Sequence, residues 1–203
     1  MGRKLELAYY EMGKSKFTLH SDNTLEVIDA SIFWTNFSGR PDKFGNSART
    51  FKLCVPEELA IELEKMGMKI YTYDLEGIRD KDDNPVKLYA IRVTVNMEGA
   101  YPPTVYLITT FNGQKTRRPL DAESIGELDS VDFKSTSKER DGEDSTGVDL
   151  IINCYESRKF KGKVVNYLKK LYATQDEKVE FGGKYDEWDE EDIVDTANPL
   201  GKI

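Results

Sequence analysis

The stretch IDASIFWTNFSGRPDKFGNSARTFKLCVPEELAIELEKMG, residues 28–67, decides how the chain folds. Ile28, Ala30, Ile32 and Trp34 alternate with Asp29, Ser31, Phe33 and Thr35. That is the period of two in which successive side chains face opposite sides of a strand. Phe51, Leu53 and Val55 alternate with Thr50, Lys52 and Cys54 in a second strand, and residues 37–48, with Gly39, Pro41 and Gly45, form a long hairpin-like connection. Pro56 then opens a helix, with Glu57 and Glu58 at its positive end, Leu59, Leu63 and Met66 on one face and Gly67 as the stop.

Working outward, Tyr89, Ile91, Val93, Val95 and Met97 line one face of a further strand, and Val105, Leu107, Thr109 and Phe111 line another beyond the Tyr101-Pro102-Pro103 turn. A short helical turn is expected at 121–128, where Asp121 can cap and Ile125 and Leu128 face inward. Residues 148–155 and 162–174 form the last strand pair. About six or seven strands with one or two short helices predict a mainly β chain. A helix set between the hairpins of a small antiparallel barrel is the OB-fold arrangement, favoured here over a sandwich or a doubly wound α/β fold. Residues 1–175 form that domain, with 134–147 as an exposed polar loop, and 176–203 form an acidic, flexible tail.

The 203 residues carry 29 Lys+Arg against 37 Asp+Glu, a net charge of −8. Residues 186–203 hold seven acids against Lys202 alone, so they account for −6, and residues 1–185 are near balance at 28 basic against 30 acidic. No apolar run approaches the roughly 20 residues of a membrane span, and the first ten residues do not resemble a secretion signal. The expectation is a soluble, cytoplasmic protein that does not bind membranes. Two cysteines, Cys54 and Cys154, and one histidine, His20, exclude a disulfide scaffold, a Cys/His zinc site and a Ser-His or Cys-His enzyme needing more than one candidate base. Asp80-Lys81-Asp82-Asp83-Asn84 lacks the glycine and terminal Glu of a calcium loop, and no phosphate-binding or nucleophile-elbow motif is present. No cofactor, metal or catalytic activity is expected.

Positive charge gathers beside rings in three places. Arg158, Lys159, Lys161, Lys163, Lys169 and Lys170 crowd one run without an acid, and Lys161, Lys163, Tyr167 and Lys169 share a parity. The segment 33–49 holds Phe33, Trp34, Phe37 and Phe44 with Arg40, Lys43 and Arg49. Adjacent on a strand, Phe33 and Trp34 point to opposite faces, so one is solvent-facing. Lys115, Arg117 and Arg118 follow the end of a strand. Ammonium and guanidinium groups follow a sugar-phosphate backbone, and exposed rings stack bases of any kind. Each patch alone is equally an edge strand guarded by lysines, a stapled loop or an ordinary turn.

The run from Asp29 to Phe44, Arg49-Thr50-Phe51 and Met66-Gly67-Met68-Lys69-Ile70 resemble phage single-stranded DNA-binding proteins of OB-fold type. Pro102-Pro103, residues 120–128, Val148-Asp149-Leu150-Ile151 and Tyr167-Leu168-Lys169-Lys170-Leu171-Tyr172 extend the resemblance to near residue 175. It implies a role in replication or recombination, coating single strands without sequence preference. It also implies a mobile acidic C-terminus that occupies the cationic groove when DNA is absent and recruits replication or recombination proteins. Bacterial counterparts end in acids followed by a terminal Phe, whereas this chain places Trp188 among the acids and ends Asn198-Pro199-Leu200-Gly201-Lys202-Ile203.

The residues therefore point to a groove for single-stranded DNA lined by Trp34, Phe37, Arg40, Lys43, Phe44, Arg49, Arg92, Lys115, Arg117, Arg118, Lys161, Lys163, Tyr167 and Lys169. Two other readings stay open: an acidic DNA mimic that blocks a host enzyme, and a carboxylate-metal nuclease. Homo-oligomerisation is not decided by the sequence.

Overall fold

In the computed structural model, which describes residues 7–79, 83–111, 114–131, 147–157 and 160–176, the alternating run at 28–35 is two strands, not one. β3 (Thr24–Ile28) and β4 (Ile32–Asn36) are separated by a bend at Asp29, whose φ is 52°. A left-handed residue reverses the alternation, so Ile28 is exposed while Ala30 and Ile32, of the same parity, are buried.

Upstream lie β1 (Ala8–Met12) and β2 (Ser15–Leu19), an antiparallel hairpin turning at Gly13. Downstream follow β5 (Thr50–Val55), helix α1 (Glu57–Lys65), β6 (Ile70–Arg79), β7 (Pro85–Thr94), β8 (Thr104–Phe111) and β9 (Gln114–Leu120). A 3-10 turn over Ile125–Ser130, β10 (Val148–Glu156) and β11 (Val164–Asp176) complete the described elements. Among the described residues eleven strands replace the six or seven expected, because the alternation pattern leaves out the β1–β2 hairpin, β6 and β9 and joins two strands into one.

The sheet runs β1-β2-β3-β10-β11-β7-β5-β4, with β6 on β7, β8 on β11 and β9 on β8. The chain is mainly β, as expected, with two short helical pieces among the described residues, but the sheet there is mixed and its ladder is not closed. β11 lies parallel to β7 at Tyr167 and to β8 from Lys170 to Asp176. What joins the two ends of the curl is the covalent bend itself. β3 pairs antiparallel with β10, β4 with β5, and between them Ala30 N–H donates to Val148 O while Ser31 O accepts from Cys54 N–H.

One continuous core fills the curl. Leu25, Val27, Ile32, Phe51, Leu53, Ile91, Val93, Leu150, Ile152 and Leu171 come from the strands, and Leu59 and Leu63 from α1. The turn at 125–130 adds Ile125 and Leu128, and Asp121 caps its approach, accepting from the Glu123 and Ser124 N–H groups. α1 starts after Pro56 with Glu57 and Glu58 in its first turn and stops at Gly67, as the spacing predicts. Of the loop expected at 134–147 and the tail expected at 176–203, residues 134–146 and 177–203 lie outside the described residues, and Asp176 ends β11.

Gly67 has φ 93°, and a Cβ there would run into the Gly162 carbonyl, while its own carbonyl accepts from Val164 N–H at 3.0 Å. The end of α1 is thus locked to the β10–β11 connection by a contact that admits no side chain. Gly67→Ala is expected to cost at least about 1–2 kcal/mol in urea unfolding from its left-handed conformation alone. Gly45→Ala, at φ 81° with open space around the new Cβ, should cost less than Gly67→Ala.

Candidate nucleic-acid interface

With Phe51 and Leu53 turned into the core, Lys52 must face outward from the middle of β5. Its register partners are Phe33 on β4 and Arg92 on β7, so ring, ammonium and guanidinium lie in one row across three strands. β6 adds Tyr71, opposite Ala90. The Lys52 Nζ lies 2.7 Å from the Tyr71 ring centroid, and Lys69 Nζ lies 4.8 Å from the same ring. Among the described residues, Lys52, Lys69 and Arg92 form no ion pair. Partial burial, then the charges of Arg92 and Lys69, push the Lys52 ammonium down to about 8. A cation held in a cationic neighbourhood is primed for an anion.

The rings beside it owe their place to a second left-handed residue. Trp34 has φ 48°, and the β4–β5 register shifts between Phe33 and Asn36. A bulge of this kind redirects side chains. Phe33 and Trp34 therefore do not point to opposite faces as strand alternation predicts. Their rings meet edge to face at 5.0 Å, and Tyr73 joins them, 4.8 Å from Trp34 and 5.8 Å from Phe33. Trp34 remains 64% exposed. A bulky residue in the left-handed region costs on the order of 1–3 kcal/mol, strain of the sort that gathers at functional sites.

The connection 37–49 is rigid at base and tip. The Asn36 side chain donates to Arg40 O (2.9 Å) and Ala48 O (3.2 Å) and accepts from Arg40 N–H (2.8 Å), clamping both arms. At the tip Asp42 accepts from the N–H groups of Phe44 and Asn46, and the bonds from Asn46 and Phe44 hold its carboxyl below the usual range, with a smaller contribution from Arg92. This turn presents Lys43 and Phe44 together, the ammonium 5.0 Å from a ring that is 78% exposed. Arg40 is exposed on the same loop.

Phe37 is a correction. It is fully buried, its ring 5.6 Å from Phe51, and its N–H is bound by the Asp129 carboxylate at 2.7 Å, so it staples the loop to the core and offers no face to a base. Arg49 is a second correction. Its side chain is 19% exposed, donating to Ala122 O at 3.0 Å and pairing with Glu98 at 3.4 Å, so it braces the loop. Arg118 is likewise engaged in a bidentate pair with Glu127.

The β10–β11 connection brings the other patch to this side. Lys161 and Lys163 lie in the turn before β11, not on the strand as expected, and both are exposed together with Lys169. Lys163 Nζ sits 5.1 Å from the exposed Phe160 ring, and Tyr155 and Tyr167 lie 6.5 Å apart. Tyr167 is level with Thr94 on β7, and the neighbouring Asn166 amide donates to Arg92 O at 3.1 Å, so this patch adjoins the Lys52 row. Between Tyr167 and loop 37–49 lies an open cleft of about 500 Å³ lined by Gly39, Arg49, Thr94 and Asn96. Arg158 and Lys159 lie outside the described residues. Lys115 and Arg117, exposed on β9, stand apart from this face, joined to it through β8 and β11.

Sequence reasoning missed Lys52, Lys69, Tyr71 and Tyr73. The signal was present: Lys52 is the polar member of an alternating strand, and Tyr71-Thr72-Tyr73 alternates directly after α1. Asn36→Ala should accelerate hydrogen exchange at the Arg40 amide and along 37–49 while β5 and β7 keep their protection. Unchanged exchange in the loop would show that the clamp is redundant.

Residues 15–201 match the phage ssDNA-binding domain family. Among curated proteins, none matches the sequence. Two solved structures of the single-stranded DNA-binding protein from bacteriophage Enc34 share a loose likeness. The C-terminal truncation has 12% identity and a TM-score of 0.39, covering 85% of this chain and 97% of that one. The complex with ssDNA has 13% identity and a TM-score of 0.40, covering 87% and 98%. Such scores transfer no geometry. The family match spans nearly the whole sequence, and the chain belongs to the phage ssDNA-binding domain family.

Proposed function

We propose that the chain binds single-stranded DNA without sequence preference across the outer face of β4, β5, β7 and β6, flanked by loop 37–49 and the β10–β11 connection. The observation that carries this reading is the cation cluster around Lys52: Lys52, Lys69 and Arg92, none in an ion pair among the described residues, beside four clustered rings. Lys52, Lys69, Arg92, Arg40, Lys43, Lys161, Lys163 and Lys169 offer charge to phosphates. Trp34, Phe44, Phe160 and Tyr167 offer faces to bases. Such a surface discriminates by access, because a duplex hides the base faces. The role that follows is protection of exposed strands in phage replication or recombination.

A gel-shift series tests the binding. An oligothymidine should shift at lower protein concentration than duplex of equal length, and equal or absent binding would overturn the proposal. Trp34→Ala should weaken binding by roughly 5- to 150-fold, the range of one base–ring stack. Trp34 emission should be quenched by the oligonucleotide in protein truncated after Tyr185, which removes Trp188.

Lys52 makes the affinity depend on pH. Its ammonium titrates near 8 in the free protein, and a phosphate beside it raises that value, so binding takes up a proton. Affinity should fall as pH rises from 7 to 9.5, and Lys52→Arg should flatten the fall. In stability the sign is opposite. The folded value lies below the roughly 10.4 of an unfolded lysine, so the penalty for the charged form is present below pH 8 and relieved between 8 and 10.4.

The acidic residues 186–203 complete the proposal. With −6 of the net charge they compete with DNA for this face when it is empty and are released to replication or recombination proteins when it is filled. Truncation after Tyr185 should tighten oligonucleotide binding at low salt, with the gain fading as salt screens the tail. Identical low-salt affinities would exclude competition.

A further inference from the structure

Resting on the reading above, we propose that the bound strand continues along β11 to a second platform built from Tyr106, Tyr172, Arg117 and Lys170. The route is set by a bulge. Ile151 pairs with Lys170 but Ile152 pairs with Leu168, leaving Lys169 as the extra residue. Before it, Tyr167 faces out opposite buried Leu168; after it, Lys170 and Tyr172 face out around buried Leu171. One strand therefore carries an outward Tyr167 at the first site and an outward Tyr172 about five residues, roughly 16 Å, further along.

At that second position β8 pairs in parallel with β11, placing Tyr106 level with Tyr172. Their rings stack at 5.4 Å with planes 11° apart. The Arg117 guanidinium on β9 lies 3.6 Å from the Tyr106 centroid and 5.3 Å from that of Tyr172, and Lys170 Nζ lies 5.6 Å from Tyr172. Neither Arg117 nor Lys170 forms an ion pair among the described residues. On the β10 side Tyr172 and Lys170 line a cleft of about 250 Å³ together with Glu26, Ile28, Asp149 and Ile151. The cations Arg117 and Lys170 flank the stacked rings, where they can meet the phosphates on either side of a stacked base.

The platform separates long from short ligands. A short oligothymidine that fills only the Lys52 row should bind wild type and an Arg117→Ser/Lys170→Ser variant equally. A long one should bind the variant roughly tenfold more weakly, with its salt slope reduced by about 0.7 for each phosphate that the variant leaves unneutralised. Iodouracil photocrosslinking to the wild-type protein gives a readout free of folding effects. Iodouracil at one end of the long oligonucleotide should label Trp34 or Tyr71, and at the other end Tyr106 or Tyr172. Equal effects on short and long ligands, or no label at Tyr106 and Tyr172 from any position, would overturn the second platform. Failure of wild type to bind either length would instead overturn the proposed function.

Discussion

Everything in this fold depends on a bend at Asp29. A strand that ran straight from Thr24 to Asn36 would serve one neighbour on each edge and leave a flat sheet. At Asp29 the backbone turns left-handed, its N–H held by the Asp149 carboxylate at 3.0 Å. The first half then stays with β10 and the second goes to β5. That curl is what creates an inside for Phe51, Leu53, Ile91 and Leu150 and, on the same strands, an outside on which Lys52 and Arg92 must appear. The core and the cationic face are two sides of one alternation, so the burial of Phe51 and Leu53 is also what aims Lys52 at solvent.

Trp34, also left-handed, works against stability and for the surface. Regular alternation would send Phe33 and Trp34 to opposite sides; the bulge brings both rings to Tyr73. The same device recurs at Lys169, where one extra residue moves Lys170 and Tyr172 outward. In both places an irregularity in pairing changes what the surface presents without disturbing the buried rows beside it. Loop 37–49 follows a complementary logic. Asn36, Asp42 and Asp129 commit their polar groups to its backbone, so Phe44 and Lys43 are held in place before any ligand arrives, and little ordering entropy is lost on binding.

Much of this was legible in the residues. The strand at 50–55, the helix after Pro56 with its stop at Gly67, the strand at 89–94 and the capped turn near Ile125 all follow from period, capping and punctuation, which act within a few residues. The concentration of rings and cations in 33–49 and near 158–170 was equally plain. The β1–β2 hairpin could have been read from Gly13 and the turn at Ser21-Asp22-Asn23. What could not be read was parity beyond a bulge, since a single residue out of register exchanges inside for outside. Phe37 and Arg49 also looked like open DNA contacts, but Phe37 is buried and Arg49 is already engaged, because Asp129, Glu98 and Ala122, 92, 49 and 73 residues away, claim them.

The amino-acid sequence by itself determined the mainly β character, the helix and its ends, the division of charge between a balanced body and an acidic C-terminal run, and membership of its family. Only the tertiary structure decided which rings and cations share a face. Propensity and alternation are local, and they set whether a side chain can point outward. Which other side chains it then meets depends on strand pairing across distant segments, as when Lys52, Lys69, Tyr71 and Arg92 converge from three strands and the turn before one of them.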